Sequence, residues 1–520
     1  MMRSEWMMLG WVLLALTAGA VEPAVPELMP DDVAALQTVA GVVELFQKAP
    51  GALWPGYDLA VQPVLVYRPG RWVVLLNPPP ETAGFNDYPA DWPPLGVPVR
   101  WRPGPDPGLV GQLVFDHDLG TCRVAAIPLD PPPGVESPAV YLFQFVIHEA
   151  FHQFQRTTFR DVEIPTEEKY PILDSENAAQ AALEMFILRD AVRAAAHGDA
   201  AAAREMAAMF IAVRRYRWAG VSEALRRFER GKEITEGSAR YVEFLAADRM
   251  GVLCRAGATV NSALCAELAT QSVAASLVED FTTRFRDSAL GPGDVARNRI
   301  YPVGAAIGYL LDFLGADWKS TTAALPEAAT LADLLTERLG PELSDPDVRR
   351  QEAERRYALD RIRGRCEELR QEYVRGFEME LATFQDRPGT RMMVELPASG
   401  TSRSRSSTGP RWVMDEGRRV LGGYTIYVLK RPNRELFFEA KDRPVLDELP
   451  SAGVRRVTCT VERIDSLVAD GVELDPATDL TRAFDTLRLE AAGVRLEAGR
   501  PGALTIQQGR VAVRLTLPDK

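Results

Sequence analysis

Apolar residues recur every three to four positions through the middle of the chain. This period brings apolar side chains onto one face of a helix, and it therefore predicts amphipathic helices that bury that face. We predict such helices over residues 141–159, 178–196, 200–218, 239–250 and 302–314. A longer helix, rich in arginine and glutamate, is predicted over residues 346–384, with most of its faces in solvent.

A shorter period, typical of strands, marks the N-terminal part of the chain. Residues 63–67 and 72–76 flank a Pro-Gly turn and predict a β-hairpin. Residues 112–115 and 122–127 predict a second hairpin, whose turn contains His117. Because polar residues in turns are usually solvated, we interpret His117 as a surface residue rather than a metal ligand.

The strand period returns near the C-terminus, after a polar stretch at residues 399–409. Serine and arginine dominate that stretch, which predicts a linker or long loop. Strands are predicted beyond it, over residues 424–429, 454–461, 487–489 and 510–517.

Together these patterns predict an α+β protein in three parts. We expect a mixed N-terminal domain with β-hairpins at residues 21–135 and a mainly helical domain at residues 136–388. A small β-domain is expected at residues 389–520.

An apolar run opens the chain and ends in Ala18-Gly19-Ala20. Its length and its small residues predict a signal peptide over residues 1–20, cleaved after Ala20. An uncleaved anchor is the alternative, although the run is shorter than the ~20 apolar residues of a spanning helix. We therefore expect a secreted or periplasmic protein with no stable membrane span after signal cleavage.

The charge of the chain argues against one class of partner. Against 60 lysines and arginines stand 72 aspartates and glutamates, which gives a formal net charge of −12. Binding to a phosphate backbone needs a basic patch, so we expect no nucleic-acid partner.

Five cysteines are present, and an exported chain can form disulfides. Cys254 and Cys265 are close enough to close a short loop, although spacing alone does not fix the pairing.

The first predicted long helix contains His148-Glu149-Ala150-Phe151-His152, an H-E-x-x-H motif. Residues four apart share a helix face, so both imidazoles can bind one Zn²⁺ while Glu149 faces the water at the metal. A pair of buried core histidines, or a site that has lost its metal, are the alternatives.

Catalytic zinc takes three protein ligands and a water molecule. The extended motif H-E-x-x-H-x-x-G-x-x-H is excluded, because positions 155 and 158 hold Gln155 and Thr158. The remaining histidines, His117 and His197, lie in unsuitable contexts, so a carboxylate is the expected third ligand. Glu229 and Glu233 are candidates, although a charged run of this kind is most simply a solvated surface.

Residues 236–243 read E-G-S-A-R-Y-V-E. This stretch resembles the third-ligand helix of gluzincin metallopeptidases, especially the aminopeptidase and leukotriene-hydrolase branch, whose helix reads E-G-x-A-x-Y-x-E. The resemblance implies that Glu236 is the third zinc ligand and that Glu243 orients a ligating histidine. Such outer carboxylates raise the basicity of the histidines they contact.

The same branch carries a tyrosine that stabilises the oxyanion, two residues before a Lys-Gly pair at the start of an apolar helix. Tyr301 matches that tyrosine and Gly304 the glycine, whereas Val303 replaces the lysine. The resemblance thus implies that Tyr301 stabilises the oxyanion. A buried tyrosine that packs at a helix start is the alternative.

The resemblance covers residues 140–315 and departs from the aminopeptidases in two respects. A long helical stretch separates His152 from Glu236, and the motif G-x-M-E-N, which binds a free amino terminus, is absent from the sequence. The sequence therefore predicts an exported zinc metallopeptidase of the wider zincin clan that acts on a peptide or protein substrate. The β-strands near residues 109–127 are expected to offer an edge to an extended peptide.

Two other functions fit the same sequence. One is a catalytically inactive scaffold or binding protein of the cell envelope, in which the β-domain binds the partner. The other is a zinc hydrolase that acts on non-peptide amides or esters.

Overall fold

A computed structural model provides the structure of the chain. It describes residues 25–515 apart from residues 81, 105–108, 110–115, 121, 132–133, 161–163, 166, 168–169, 258–261, 286–287, 326–328, 341–343, 407–410, 415–418, 433–434 and 452. The predicted signal peptide, residues 1–20, lies outside the described residues.

The helices lie mainly in the central part of the chain. They are α1 Pro30–Lys48, α2 Pro138–Thr158, α3 Ser175–Ala196, α4 Ala200–Ala219, α5 Glu223–Lys232, α6 Ser238–Arg255, α7 Ser262–Leu268, α8 Val273–Arg284, α9 Pro292–Val295, α10 Ile300–Phe313, α11 Trp318–Thr322, α12 Leu331–Leu339, α13 Pro346–Arg356 and α14 Leu359–Gln385. A π-helical turn, Glu233–Gly237, joins α5 to α6.

The strands form one sheet near each end of the described chain. They are β1 Val64–Arg68, β2 Trp72–Leu76, β3 Asn86–Asp87, β4 Val99–Pro103, β5 Asp116–Asp118, β6 Arg123–Pro128, β7 Thr390–Pro397, β8 Ser402–Ser406, β9 Arg411–Met414, β10 Arg419–Arg431, β11 Leu436–Ser451, β12 Val454–Val461, β13 Ile464–Ala469, β14 Val472–Glu473, β15 Leu480–Phe484, β16 Leu487–Ala491, β17 Val494–Ala498, β18 Gly502–Gln507 and β19 Arg510–Leu515. N-terminal strands, central helices and a C-terminal sheet make this a mixed α and β protein.

The N-terminal sheet has the strand order β3-β4-β2-β1-β6-β5. The first predicted hairpin is confirmed, because β1 and β2 pair antiparallel with Val64 opposite Leu76. In the second predicted hairpin, β6 matches the second strand. The first strand, residues 112–115, lies outside the described residues and stays a prediction. The assignment of His117 to a turn is wrong: it lies in β5, opposite Val124 of β6. Pairing with β6 therefore extends closer to the turn than the polar residues suggested.

The predicted helices of the central part are confirmed as α2, α3, α4, α6 and α10. Asp174 and Asp199 begin α3 and α4, because each carboxylate accepts a hydrogen bond from a first-turn backbone N–H. The single helix predicted over residues 346–384 is wrong in one respect. It is divided into α13 and α14 at Ala358, whose φ is 52°.

One apolar core contains residues from α1, the N-terminal sheet and the helices as far as Leu369 of α14. A second core, from Met392 to Leu515, lies in the C-terminal sheet. The proposed domain boundaries stay predictions. Among the described residues, no helix combines the length and the apolar character needed to cross a membrane.

The C-terminal sheet contains 13 strands. The prediction of a linker at residues 399–409 is wrong in part, because residues 402–406 form β8 and pair antiparallel with β10. Backbone pairing with a distant strand overrides a local composition that is typical of loops.

The described chain also contains a disulfide between Cys254 and Cys265, with a Cα–Cα distance of 5.3 Å, as the short loop suggested.

Candidate metal centre

Helix α2 carries the H-E-x-x-H motif and is anchored in the core by its apolar face. Phe143, Ile147 and Phe151 are fully buried on that face. On the other face, His148 and His152 lie one turn apart, with their Nε2 atoms separated by 3.1 Å. The spacing therefore directs both imidazoles to one point, as the sequence predicted.

Glu236 reaches the same point from the π-helical turn between α5 and α6. Its Oε2 atom lies 3.2 Å from Nε2 of His152 and 3.6 Å from Nε2 of His148. Its other oxygen accepts a hydrogen bond from Nζ of Lys232 at 2.8 Å. Isolated π-helical turns inside longer helices occur frequently at functional sites.

The three side chains fit a metal ion in both donor chemistry and spacing. Two imidazole nitrogens and one carboxylate oxygen form a donor set that is found in catalytic zinc sites. Bonds of ~2.0–2.1 Å in a tetrahedron place neighbouring ligand atoms about 3.3 Å apart. The separations of 3.1, 3.2 and 3.6 Å between the atoms of His148, His152 and Glu236 match that value. They form the one group of this kind within the part of the chain that the structure describes.

Glu243 orients His148. Its Oε2 atom lies 3.2 Å from Nδ1 of His148, one side of the ring, while Nε2 on the other side faces Glu236. Arg240 pairs with Glu243 and also donates from Nε to Asp280 at 2.9 Å. The contact implied by the resemblance is therefore present, and Glu243 is itself held in place by an arginine.

Gln155 performs the equivalent task for His152, and the sequence reasoning missed it. Its Oε1 atom lies 2.7 Å from Nδ1 of His152. Its Nε2 donates to the carbonyl of Thr235 and to Oγ of Ser238, at 2.8 Å each. Gln155 therefore ties α2 to the chain on both sides of Glu236. Its place three residues after His152, on the same helix face, was the available signal.

The proton affinities at the centre are strongly perturbed. Burial lowers the pKa of His148, but hydrogen bonds to Glu236 and Glu243 outweigh it and raise that pKa to about 9. Burial also opposes ionisation of Glu236, yet hydrogen bonds to both histidines hold its pKa far below the ordinary value. The carboxylate of Glu236 is therefore an anion at neutral pH, and a positive charge is favoured beside it.

Glu149 lies next to His148 and lines the cleft above the three ligands. Its side chain is partly buried. Burial raises the pKa of its carboxyl, although both imidazoles act in the opposite direction. A carboxylate with a raised pKa next to a metal site has the proton affinity that a general base needs.

Tyr301 lies in the first turn of α10, with its ring stacked near that of His148 at a centroid distance of 6.0 Å. Burial and the adjacent Glu236 raise the pKa of its hydroxyl, which stays protonated. Nε and Nη2 of Arg297 each lie 3.4 Å from that oxygen. The structure therefore brings Tyr301 to the same cleft as the three candidate ligands.

Two glycines allow α10 to approach the π-helical turn closely. A Cβ atom on Gly304 would lie 2.5 Å from the carbonyl oxygen of Glu233 and 2.7 Å from Cα of Gly237. Real Cβ contacts are longer, so only glycine fits on both sides without displacement of the backbone. The contact fixes the helix of Tyr301 against the turn of Glu236.

Glu229 and Glu233 do not reach the candidate ligands, and the prediction that they are solvated is wrong. Both are fully buried in an arginine–glutamate network. The network consists of Glu184, Glu229, Glu233, Arg214, Arg217 and Arg299. Charged runs are solvated on average, but the arginines that pair with these glutamates come from distant segments. The sequence offers no local signal for that pairing.

A cleft of about 670 Å³ opens over the centre. His148, Glu149, His152, Glu236 and Tyr301 all line it.

Comparison of the chain with protein-family models, curated proteins and solved structures finds no match. The functional argument therefore depends on the geometry and chemistry of the centre.

Proposed function

We propose that this protein is an exported zinc-dependent metallopeptidase with a gluzincin-like arrangement of its site. The observation that carries the proposal is the convergence of His148, His152 and Glu236, with ligand-atom separations of 3.1 to 3.6 Å beside a cleft. Glu149 and Tyr301 line the same cleft and supply the proton-transfer groups that hydrolysis requires.

His148, His152 and Glu236 would hold the metal, with Glu243 and Gln155 fixing the two imidazole rings. When bound, Zn²⁺ supplies Lewis acidity that polarises the scissile carbonyl and lowers the pKa of a water molecule. Glu149 takes a proton from that water and delivers it to the leaving nitrogen. Burial raises the pKa of Glu149, which favours its acceptance of that proton.

Tyr301 stabilises the negative charge that develops on the carbonyl oxygen. Its hydroxyl remains protonated because burial raises its pKa, so it can donate a hydrogen bond throughout the reaction. The close contact of Gly304 with the turn of Glu236 fixes the position of α10 before substrate arrives. Such preorganisation is what makes a donor effective.

The edge of the N-terminal sheet is our candidate for holding an extended peptide. Strand β5 is the last strand of the sheet and lies beside β6. Nε2 of Gln153, the residue after His152, donates to the carbonyl of Arg123 at the start of β6, at 2.6 Å. The metal-ligand helix and this edge of the sheet are therefore neighbours, which supports β-strand addition of a substrate.

The Cys254–Cys265 disulfide supports the exported location, because disulfides persist in oxidising compartments. The similarity to gluzincins depends on residues 148–152, 236–243 and 301–304, and Val303 still departs from the pattern. Because the G-x-M-E-N motif is also absent from the sequence, the proposal does not extend to aminopeptidase activity.

Zinc stoichiometry and peptide hydrolysis test the proposal together. We expect about one zinc per chain by inductively coupled plasma mass spectrometry, and cleavage of a mixed peptide library. Glu149→Gln should retain zinc and lose about 10²- to 10⁴-fold in rate. Glu205→Gln, an exposed change on α4, is the matched control and should keep both. Less than about a tenth of a zinc per chain after loading would refute the proposal and favour the scaffold function.

A further inference from the structure

The cleft over the candidate centre has the opposite charge to the rest of the chain. The formal net charge of the protein is −12. Six cationic side chains line the cleft: Arg156, Arg160, Arg227, Arg230, Lys232 and Arg297. Among the lining residues that the structure describes, Glu149 and Glu236 alone carry negative charge, and both belong to the centre.

These cations surround the centre from three elements. Arg156 lies on α2 one turn beyond His152, and Arg160 follows the end of that helix. Arg227 and Arg230 lie on α5. Arg297 precedes α10. A single carboxylate needs one or two cations, so this distribution fits a ligand with several negative charges along its length.

Two of these cations, Arg230 and Arg297, have carboxylate partners that a ligand can replace, whereas Lys232 is paired with Glu236 of the centre. Arg230 pairs with Glu223, whose side chain is 54% exposed. Arg297 has a side chain that is 58% exposed, and its Nη1 lies 3.9 Å from Glu167. Ion pairs at exposed positions contribute little to stability, so a bound carboxylate can replace a glutamate partner at small cost.

We propose that the cleft selects acidic peptide segments, in which several aspartate or glutamate side chains flank the bond placed at the metal. This substrate class rests on the proposed function. The cationic lining attracts an anionic chain, accelerates its encounter and disfavours basic peptides. A zinc ion at the centre would add further positive charge to the same cleft.

Binding of dye-labelled decapeptide libraries to zinc-loaded Glu149→Gln tests the substrate class without turnover. We expect the acidic library to bind about tenfold more tightly than the basic library at low salt, measured by fluorescence anisotropy. Raising the ionic strength to about 0.3 M should remove most of that difference. Equal affinities, or no binding of either library, would overturn the inference.

Two arginines on the same helix provide a matched pair of variants. Arg226 and Arg230 both contact Glu223, but only Arg230 is among the cleft-lining residues. Arg230→Gln should weaken binding of the acidic library about threefold to fivefold, and Arg226→Gln should change it less than about twofold. The comparison of acidic and basic libraries needs no arginine variant. It therefore tests the substrate class even if Arg230→Gln folds poorly.

Amidated peptides distinguish side-chain carboxylates from a terminal carboxylate. Acidic peptides with amidated C-termini should still bind more tightly than basic peptides. If amidation removes that difference, the inference of an acidic segment is overturned and the cleft binds a terminal carboxylate instead. Zinc content is measured on the same preparations. Absence of zinc would refute the proposed function, whereas bound zinc without a preference for acidic peptides would refute the substrate class alone.

Discussion

Two clusters of buried charge share one π-helical turn in this protein. Glu233 points into the arginine–glutamate network, and Glu236, three positions later, points to His148 and His152. Both clusters lie in the helical part and use glutamates that polar composition alone would place in solvent. They differ in how each buried carboxylate is compensated.

In the network, three arginines balance three glutamates. Glu229 accepts from Arg217, from Trp218 and from the hydroxyl of Tyr170, and it also pairs with Arg299. Despite its burial, those guanidinium groups hold its pKa well below the ordinary value. The network is closed in the sense that each of its carboxylates pairs with an arginine of the protein itself, although burial still raises the pKa of Glu233.

At the candidate centre, Oε2 of Glu236 faces imidazole nitrogens rather than a guanidinium group. The side chains of Glu236 and His152 are 12% and 20% exposed, so a cleft reaches them. Despite burial, hydrogen bonds to Glu236 and Glu243 raise the pKa of His148 to about 9, which favours a proton on that ring beside Glu236. The comparison teaches that buried carboxylates can be compensated by arginines within the fold, or can be left facing a cleft with the donor set and spacing that we propose for a cation.

The largest expected effect is a loss of bound zinc when Glu236, the anionic candidate ligand of the open cluster, is replaced. Glu236→Gln keeps the size of the side chain but loses its charge, so zinc content should fall from about one per chain to less than about a tenth. Plasma mass spectrometry measures the metal, and circular dichroism should show a retained fold. Glu205→Gln is the control, and a folded Glu236→Gln protein with one bound zinc would contradict the assignment.

The matching change in the closed cluster should act on the fold. Glu229→Gln removes the buried carboxylate that pairs with Arg299 and one of the two that pair with Arg217, and it should lower the free energy of unfolding by about 3–5 kcal/mol in urea denaturation. The folded fraction should still bind zinc. Glu223→Gln, an exposed change on the same helix, should have little effect. Equal stabilities for the two variants would remove the distinction between the clusters.

Gly304→Ala tests the contact between α10 and the turn that the clusters share. The added methyl group would meet the carbonyl oxygen of Glu233 at 2.5 Å. We expect a loss of about 1–3 kcal/mol in the free energy of unfolding, together with weaker zinc binding. Gly364→Ala in α14 meets no atom within 4 Å and should instead stabilise by about 0.5–1 kcal/mol. Similar effects of both changes would argue against the contact.

Gln155→Leu tests the partner of His152. The substitution removes the hydrogen bond to Nδ1 and should weaken zinc binding about 10- to 100-fold, as measured by competition with a chelator. Gln153→Leu removes a hydrogen bond from the same helix to the carbonyl of Arg123 and touches neither ligand, so it serves as the control. Unchanged affinity in Gln155→Leu would show that the ring of His152 is held by the helix alone.

A further expected effect is a pH dependence of zinc affinity. Zinc binds the neutral imidazole, but in the zinc-free protein the pKa of His148 is raised to about 9. Below that pH a proton must leave as zinc binds, so affinity should rise about tenfold per pH unit toward pH 9 and then level off. Isothermal titration in two buffers of different ionisation enthalpy measures the released proton. Glu243→Gln should move the plateau to lower pH, and a flat profile would contradict the coupling.

Local patterns predicted the parts of this structure that depend on nearby residues. The helical period located α2, and the four-residue spacing predicted that His148 and His152 meet. Glu236 and Glu243 were inferred from a motif resemblance, because no local rule connects them with a helix so far along the sequence. The spatial proximity of all four side chains is a property of the folded chain.

The features that were missed depend on long-range partners. Glu229 and Glu233 were interpreted as solvated because Arg214, Arg217 and Arg299 lie in other segments. Gln155 served only to exclude a longer histidine motif, although its amide contacts Nδ1 of His152, a candidate ligand. Strand β8 was predicted as a linker because its pairing with β10 leaves no trace in its composition. In each case the decisive partner is distant in sequence or has a role that residue type alone does not specify.

The contact between Gly237 and Gly304 also bears on how this cleft can diversify during evolution. Backbone touches backbone there, so neither position tolerates a larger residue and the packing of α10 against the turn of Glu236 cannot be remodelled by ordinary substitution. The arginines at the end of α2 and along α5 extend from the rim and can be replaced one at a time. We expect descendants of this protein to vary at those arginines, and with them in the proposed substrate preference, while the contact between the two glycines is inherited intact.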